Sequence, residues 1–185
     1  KSATGTLGLP LVASQAASTG SSVLAATEDP YGRTCLKDRT YLAARITRCV
    51  YYDTALDSLV VVDTIKARKR IRADQRWQVP NGVKVSTSSR GAVLVSPTAQ
   101  ARMLFRGGGT VRTYRPGGSR ADGWFTNGYG ELVKGTTLQR GGIIGKGKKR
   151  TWISVLAAGE TAPGISVTDG VVTVTRDKAT TFPLP

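Results

Sequence analysis

Short runs of β-branched and aromatic residues, each followed by turn-forming residues, recur along the chain from Arg33 onward. Runs of this length and spacing are typical of the strands of a β-sandwich. The run from Tyr41 to Tyr52 alternates between apolar and polar positions in its second half, and residues 58–65 contain a nearly continuous apolar stretch. Such a stretch indicates a strand that is buried on both faces or central in a sheet. The pattern predicts an all-β fold, an antiparallel β-sandwich with little or no helix.

Turn-forming dipeptides indicate where neighbouring strands are joined. Asn81-Gly82 and Asp169-Gly170 each lie between two strand-like runs. Both dipeptides tolerate the positive φ angles of a type I′ turn, so each predicts a two-residue hairpin. The glycine- and lysine-rich segment 145–150 predicts a further hairpin, between 141–144 and 151–156. Residues 98–105 are compatible with either a short helix or a strand.

The chain has 185 residues, which is enough for one domain with an apolar core. It contains neither an internal repeat nor a linker long enough to divide it. We therefore predict a single domain over 1–185, with 1–30 as an irregular lead-in rich in Ala, Ser, Thr and Gly. Because the chain begins at Lys1 rather than Met, we expect it to be part of a longer product. No stretch is apolar enough to predict a membrane span.

Two cysteines, Cys35 and Cys49, lie on runs that we predict to be neighbouring strands. With a turn over 38–44, the two positions would face each other at a separation that suits a disulfide. A disulfide would indicate an exported protein, so we expect a secreted or cell-surface location. Two buried free thiols are the alternative interpretation.

The composition adds a strong positive charge, since 27 Lys and Arg residues stand against 12 acidic ones and give a net charge of +15. Such an excess predicts a polyanionic partner, which is nucleic acid, an acidic polysaccharide or another anionic polymer. A basic surface that binds nothing is the alternative. Five basic residues lie within 66–72 and four within 146–150. Arg forks and Lys point charges bind sulfate, phosphate and carboxylate groups, although solvated loops would explain either run alone.

Histidine is absent from the chain. Because histidine is the commonest general base near neutral pH and the commonest metal ligand, its absence argues against a zinc hydrolase or a Ser-His-Asp enzyme. The two cysteines lack the second pair that a zinc site needs. The spacing of the carboxylates selects no glycosidase pair. We therefore predict no catalytic residue, no metal site and no cofactor.

Four segments carry a family resemblance. They are Thr-Arg-Cys-Val-Tyr-Tyr at 47–52, Leu-Val-Val-Val-Asp-Thr-Ile at 59–65, Gln-Arg-Trp-Gln-Val-Pro-Asn-Gly-Val at 75–83, and Asp-Gly-Trp-Phe-Thr-Asn-Gly-Tyr-Gly-Glu at 122–131. Their order and residue types resemble those of the C-terminal β-sandwich domain of heparinase II/III-like polysaccharide lyases. The resemblance implies an α/α toroid elsewhere, a cleft for an acidic polysaccharide between toroid and sandwich, and β-elimination of uronate polymers with Tyr or His as the base.

The chain departs from this family where the family tends to carry histidines. Thr4 stands where a His is expected after a small residue, and Gln78 stands where a His is expected after an aromatic one. With Asp63, which we expect to cap the end of its strand, these residues would form a degenerate family site. Whether the chain is an enzyme therefore stays open. Paired with a separate toroid domain or chain, a Tyr whose pKa is lowered by Arg would be the candidate base.

The resemblance predicts a module that binds or supports an acidic, uronate-containing polysaccharide and is not catalytic alone. Arginines pair with uronates, and aromatic rings stack on sugars. The alternative is a structural subunit of a capsid, fibre or surface assembly whose basic surface faces a polyanion. An oligomer is compatible with either interpretation. The predicted binding residues are Arg45, Arg48, Arg68, Arg70, Arg72, Arg76, Trp77, Trp124 and Tyr129.

Overall fold

The structure is a computed structural model that describes residues 34–41, 43–53, 56–117, 123–128 and 131–184. These residues form strands and turns and contain no helix, which confirms the predicted all-β class. None of them forms a helix that could span a membrane. The strands are β1 Thr34–Tyr41, β2 Ala44–Asp53, β3 Ser58–Ala67, β4 Ile71–Pro80, β5 Lys84–Ser88, β6 Gly91–Val95, β7 Gln100–Arg106, β8 Thr110–Tyr114, β9 Trp124–Gly128, β10 Glu131–Ile144, β11 Lys149–Ala158, β12 Gly164–Thr168, β13 Val171–Thr175 and β14 Ala179–Pro183.

The strands assemble into three antiparallel sheets. The large sheet has the order β1-β2-β3-β11-β7-β6-β5, and the small sheet has the order β4-β10-β8 with β9 also paired to β10. The third sheet is β12-β13-β14. The segment 98–105, for which helix and strand were both open, is largely strand β7. The predicted single domain over 1–185 and its lead-in 1–30 stay predictions, because residues 1–33 lie outside the described part.

The large sheet is covered on both faces, which explains the apolar stretch in β3. On one face Val60 and Val62 pack with Val174 and Phe182 of the third sheet. On the other face Met103 and further β6 and β7 side chains pack against the small sheet. Because β3 lies between β2 and β11, it is buried at nearly every position, as predicted. Each such Val or Phe contributes about 1.5–3 kcal/mol of transfer free energy.

The Asp169-Gly170 hairpin is confirmed. Asp169 and Gly170 have φ angles of 49° and 76°, as a type I′ turn requires, and Thr168 pairs with Val171 across the turn.

The other two predicted hairpins are wrong, because both connections cross from one sheet to another. At Asn81-Gly82 only Gly82 has a positive φ, which fits a type II turn, and the chain passes from β4 in the small sheet to β5 in the large sheet. The segment after β10 likewise leads from the small sheet to β11 in the large sheet. In each case the two flanking strands pack their apolar faces against different neighbours. The strand before the turn therefore belongs to the small sheet and the strand after it to the large sheet.

Cys35 and Cys49 lie directly opposite each other in the pairing of β1 with β2. Cys49 is fully buried and disulfide-bonded, and Cys35 is the other cysteine of the sequence. The turn between these strands falls between Tyr41 and Ala44, so it is shorter than the predicted turn over 38–44.

We expect the substitution Gly107→Ala to lower the free energy of unfolding by about 2 kcal/mol, because Gly107 has a φ of 93° and a Cβ there would collide with the backbone oxygen of Thr151. Gly82→Ala is the matched control, since Gly82 has a similar φ of 87° but open space around it. The control should cost about 1 kcal/mol. Urea denaturation measures both, and equal losses would contradict the close approach at Gly107.

Candidate functional site

A band of polar side chains crosses the core between the large and small sheets, with an apolar cluster on each side. At its centre, the Asp63 carboxylate accepts two hydrogen bonds from Arg48, at 2.6 Å from Nε and 2.7 Å from Nη2. Gln75 Nε2 donates a third at 2.8 Å, and the Ser154 hydroxyl donates to Gln75 Oε1 at 2.8 Å. The hydrogen bonds that Arg48 donates to Asp63 raise the pKa of Arg48, and this effect outweighs the opposing effect of burial.

Asp63 lies in the middle of β3, so the expectation that it caps a strand end is wrong. The Val-rich strand continues to Ala67, because β2 and β11 pair with it along that length. Asp63 is 3% exposed, and its hydrogen-bond partners Arg48 and Gln75 come from β2 and β4. The hydrogen bond from Gln75 links Asp63 in the large sheet to the small sheet, and Arg48 pairs with Asp63 from within the large sheet.

Arg140 is a second charged residue in the same band and is fully buried. Its guanidinium donates to the carbonyl oxygens of Gly108 at 2.8 Å, Ile153 at 3.0 Å and Arg106. It also lies over the rings of Phe105 and Trp152, 5.2 and 5.6 Å from the ring centroids. Burial lowers the pKa of Arg140 to about 10, against an opposing effect of Asp63, so this guanidinium is charged at neutral pH.

The outward face of the small sheet has a different character. Strand pairing places Arg76, Gln139 and Arg112 in one row across β4, β10 and β8, and places Gln78, Thr137 and Tyr114 in the next row. Side chains paired in this way point to the same face of a sheet. We refer to these six residues as the outer face.

The floor of the outer face is polar and buried. Thr137 and Gln139 on the central strand are 0% and 2% exposed. Thr137 Oγ1 accepts from the Gly123 N–H and donates to Gln78 Oε1, both at 2.8 Å, so this row is satisfied internally. Gln139 Oε1, in contrast, is buried and has no hydrogen-bond partner in the described part of the chain. A buried acceptor without a donor lowers stability by about 1–3 kcal/mol, so the unpaired oxygen of Gln139 requires a structural or functional explanation.

Arg76 and Arg112 flank Gln139 on either side and are both exposed. Their Cα atoms are two strand spacings apart, about 10 Å. Guanidinium groups bind carboxylate and sulfate through paired N–H donors, and the amide oxygen between them accepts from a hydroxyl. The outer face therefore presents two exposed guanidinium groups to an acidic group, and the amide oxygen between them is covered in this structure.

The structure also joins the two basic runs of the sequence at one end of the sandwich. The β3–β4 and β10–β11 connections run side by side there, because the Ala67 N–H donates to Lys148 O at 2.9 Å and the Gly147 N–H donates to Ala67 O at 2.8 Å. The basic side chains at this position are all exposed. We refer to them as the basic end: Lys66, Arg68, Lys69, Arg70, Lys146, Lys148 and Lys149.

The residues predicted from the sequence separate into distinct environments. Arg76 and Gln78 belong to the outer face, and Arg72 lies on the same side of β4, where it pairs with Asp74 at 3.3 Å. Arg68 and Arg70 belong to the basic end, and the exposed Arg45 lies opposite Lys66.

Other predicted residues lie away from these two surfaces. Arg48 is held by Asp63, and Trp77 points inward and packs on the apolar cluster around Leu138, so neither belongs to the outer face. Trp124 in β9 is half-buried and lies opposite Lys134. Tyr129 and Thr4 fall outside the described residues.

Asp63 and Gln78, which we placed in one degenerate site, are not brought together. Asp63 lies between the sheets and contacts Gln75, whereas Gln78 is on the opposite face of β4 and contacts Thr137. In the described residues, His, Cys, Asp and Glu side chains do not cluster in groups of three or more that would suit a metal ion.

Gln139, Arg112 and Tyr114 were not predicted as site residues from the sequence. The alternation in Thr-Val-Arg-Thr-Tyr at 110–114 is the one local signal, since it places Arg112 and Tyr114 on the same face of a strand.

Comparison with known proteins gives matches in structure. Neither a protein-family model nor a curated protein matches the chain. Among solved structures, a heparinase III superposes with a TM-score of 0.64 at 13% identity, over 87% of this chain and 27% of that one. The heparan sulfate lyase HepC from Pedobacter heparinus gives a TM-score of 0.65 at 13% identity, over 85% of this chain and 27% of its own.

The chain has a heparinase III-type sandwich fold. The resemblance to heparinase II/III-like lyases that the sequence indicated is thus confirmed at the level of the fold. The chain spans about a quarter of the length of the lyases it matches.

Proposed function

We propose that this heparinase III-type sandwich binds an acidic, uronate-containing polysaccharide on its outer face and is not catalytic alone. The observation that carries the proposal is the buried, unpartnered Gln139 Oε1 between two exposed arginines. A uronate residue supplies the charged complement, since its carboxylate pairs with Arg76 or Arg112, and one of its hydroxyls would donate to Gln139 Oε1 once the groups that cover this oxygen move aside. The net charge of +15 attracts a polyanion over longer distances.

The proposed role is binding or support, because the commonest general base near neutral pH is missing from the chain. It has no histidine, and the polar band around Asp63 is engaged in internal hydrogen bonds. In a longer protein or with a toroid partner, this surface would hold the polymer while the partner supplies the reacting groups. The disulfide at Cys49 supports a secreted or cell-surface location for the protein.

The double substitution Arg76→Ala/Arg112→Ala should lower the affinity for a short heparan sulfate oligosaccharide at least tenfold, because it removes both charged partners of the sugar acid groups. The matched control is Lys84→Ala/Arg90→Ala, which removes the same charge from exposed positions at and beside the edge strand β5. The control should change the affinity by less than about threefold. Isothermal titration calorimetry at low salt measures all three proteins.

Absence of binding by the unmodified chain to heparan sulfate, hyaluronan and alginate would overturn the proposed function. If the purified chain instead formed ordered particles or filaments, the structural-subunit interpretation would replace it. Equal losses of affinity in the two double variants would show that binding follows net charge and does not use the outer face.

A further inference from the structure

Strand β12 forms an open edge of the third sheet, because it pairs with β13 on one side only. The two-residue turn at 169–170 closes on the pair Thr168 and Val171, and the direction of the backbone hydrogen bonds alternates along the strand. The N–H and C=O groups of Ile165 and Val167 therefore point toward the open edge. Within the described part of the chain, no backbone hydrogen bond reaches them from that side.

The sequence of β12 lacks the features that usually protect such an edge. Natural edge strands carry charged side chains or proline, which prevent another strand from pairing with them. The edge strands of the large sheet contain Lys37 in β1 and Lys84 in β5, and the opposite edge of the third sheet contains Pro183 in β14. Strand β12 is Gly-Ile-Ser-Val-Thr and contains neither a charge nor a proline.

An apolar side chain is exposed beside this edge. Val167 is 45% exposed, although its cross-strand neighbour Val172 is fully buried on the side of the sheet that packs against the core. Ile165, on the same side, is only partly buried. A strand added to β12 would place its own side chains against these two and continue the apolar side of the sheet.

The charge of the third sheet permits a second copy of the chain to approach. Residues 159–185 contain two basic and three acidic residues, whereas the whole chain has a net charge of +15. Asp169 follows one end of β12, and Arg176 lies at the other end, where it donates to the carbonyl oxygens of Ala158 and Thr161. Antiparallel pairing of two copies brings Asp169 of each copy to the end that carries Arg176 of the other.

We propose that β12 pairs antiparallel with β12 of a second copy of this chain, about a two-fold axis at Ser166. Ile165 of each copy lies opposite Val167 of the other, so the open N–H and C=O groups form four hydrogen bonds. The pairing is closed, because the same strand serves both copies. It is a small interface, so the dimer is weak and reversible. The outer face lies on the other side of the large sheet and stays accessible in both copies.

The substitution Ser166→Cys tests the two-fold axis. In a non-hydrogen-bonded antiparallel pair the two Cα atoms are about 4.5 Å apart, which suits a disulfide. Mild oxidation should therefore link this variant into a covalent dimer, measured by non-reducing electrophoresis. Thr181→Cys is the matched control, since Thr181 is exposed in the same cross-strand row but on the opposite edge strand β14. It should cross-link at least tenfold more slowly.

The substitution Val167→Lys tests the edge without a cysteine. It places a charge at the pairing edge and should weaken association at least tenfold, measured by sedimentation equilibrium. Thr181→Lys adds the same charge on β14 and should change association by less than about threefold. Thermal unfolding checks that both variants fold. For the unmodified chain, salt should strengthen the dimer, because it screens the repulsion between two chains of charge +15.

Three results would overturn the inference. They are equal cross-linking rates in the two cysteine variants, an unmodified chain that stays monomeric at about 1 mM, and a dimer that dissociates when salt is added. The third result would show that opposite charges, and not the edge of β12, hold the copies together. None of these results depends on whether the outer face binds a polysaccharide.

Discussion

The substitution Asp63→Ala is expected to lower the free energy of unfolding by about 3–5 kcal/mol, the loss that follows when one partner of a buried ion pair is removed. The carboxylate is 3% exposed and accepts hydrogen bonds from Arg48 and Gln75. Without it, Arg48 and the Gln75 amide lose their acceptor, and Arg140 loses the nearby negative charge that favours its charged form. Chemical denaturation followed by tryptophan fluorescence measures the change.

Asp74→Ala is the matched control for this prediction. Asp74 also pairs with an arginine on a neighbouring position, but the pair with Arg72 is a single contact of 3.3 Å at an exposed site. Exposed pairs of this type contribute about 0–1 kcal/mol. A loss of less than about 1 kcal/mol in Asp63→Ala would contradict the account of the polar band as a link between the sheets.

The substitution Arg140→Met should lower the free energy of unfolding by about 3 kcal/mol. Methionine fills much of the same volume, but it leaves the buried carbonyl of Ile153 and the partly buried carbonyls of Gly108 and Arg106 without the donor that Arg140 supplies. Arg140→Lys should cost nearly as much, since a single ammonium group cannot reproduce the fork that reaches three carbonyls. Differential scanning calorimetry at neutral pH measures both.

Arg112→Met is the control, because Arg112 lies on the adjacent strand β8 and its side chain is exposed. It should change stability by less than about 0.5 kcal/mol. Full retention of stability in Arg140→Lys would show that charge alone, and not the three hydrogen bonds, is what this position requires.

The fold class and the central strand could be predicted from the sequence because both depend on local patterns. The buried β3 follows from its unbroken apolar run, and the Asp169-Gly170 turn follows from two residues that accept positive φ. The partner of a strand depends instead on which apolar faces pack together. At Asn81-Gly82 and again after β10, a turn-forming sequence was compatible with a hairpin and with a crossing between sheets, and packing decided for the crossing.

The candidate site could be predicted only in part, because the sequence shows which residues are charged but not which strands lie side by side. The charge of the two basic runs was evident, but their proximity depends on hydrogen bonds between Ala67 and the residues around Lys148. Gln139 has no unusual neighbours in sequence; its importance comes from its burial between Arg76 and Arg112 on the neighbouring strands. Trp77 shows the opposite case, because an aromatic residue beside basic ones was a candidate for sugar stacking and instead packs in the core.

Nuclear magnetic resonance titration of the isotopically labelled chain with a heparin tetrasaccharide tests the central claim most directly. We predict that the largest shifts occur at the backbone amides of Arg76, Gln139 and Arg112 and at the side-chain amide of Gln139, which would gain a hydrogen-bond partner. Strands β12 to β14, on the opposite side of the large sheet, should be unaffected. Shifts concentrated on those strands, with no change at Gln139, would contradict the assignment of the outer face as the polysaccharide-binding site.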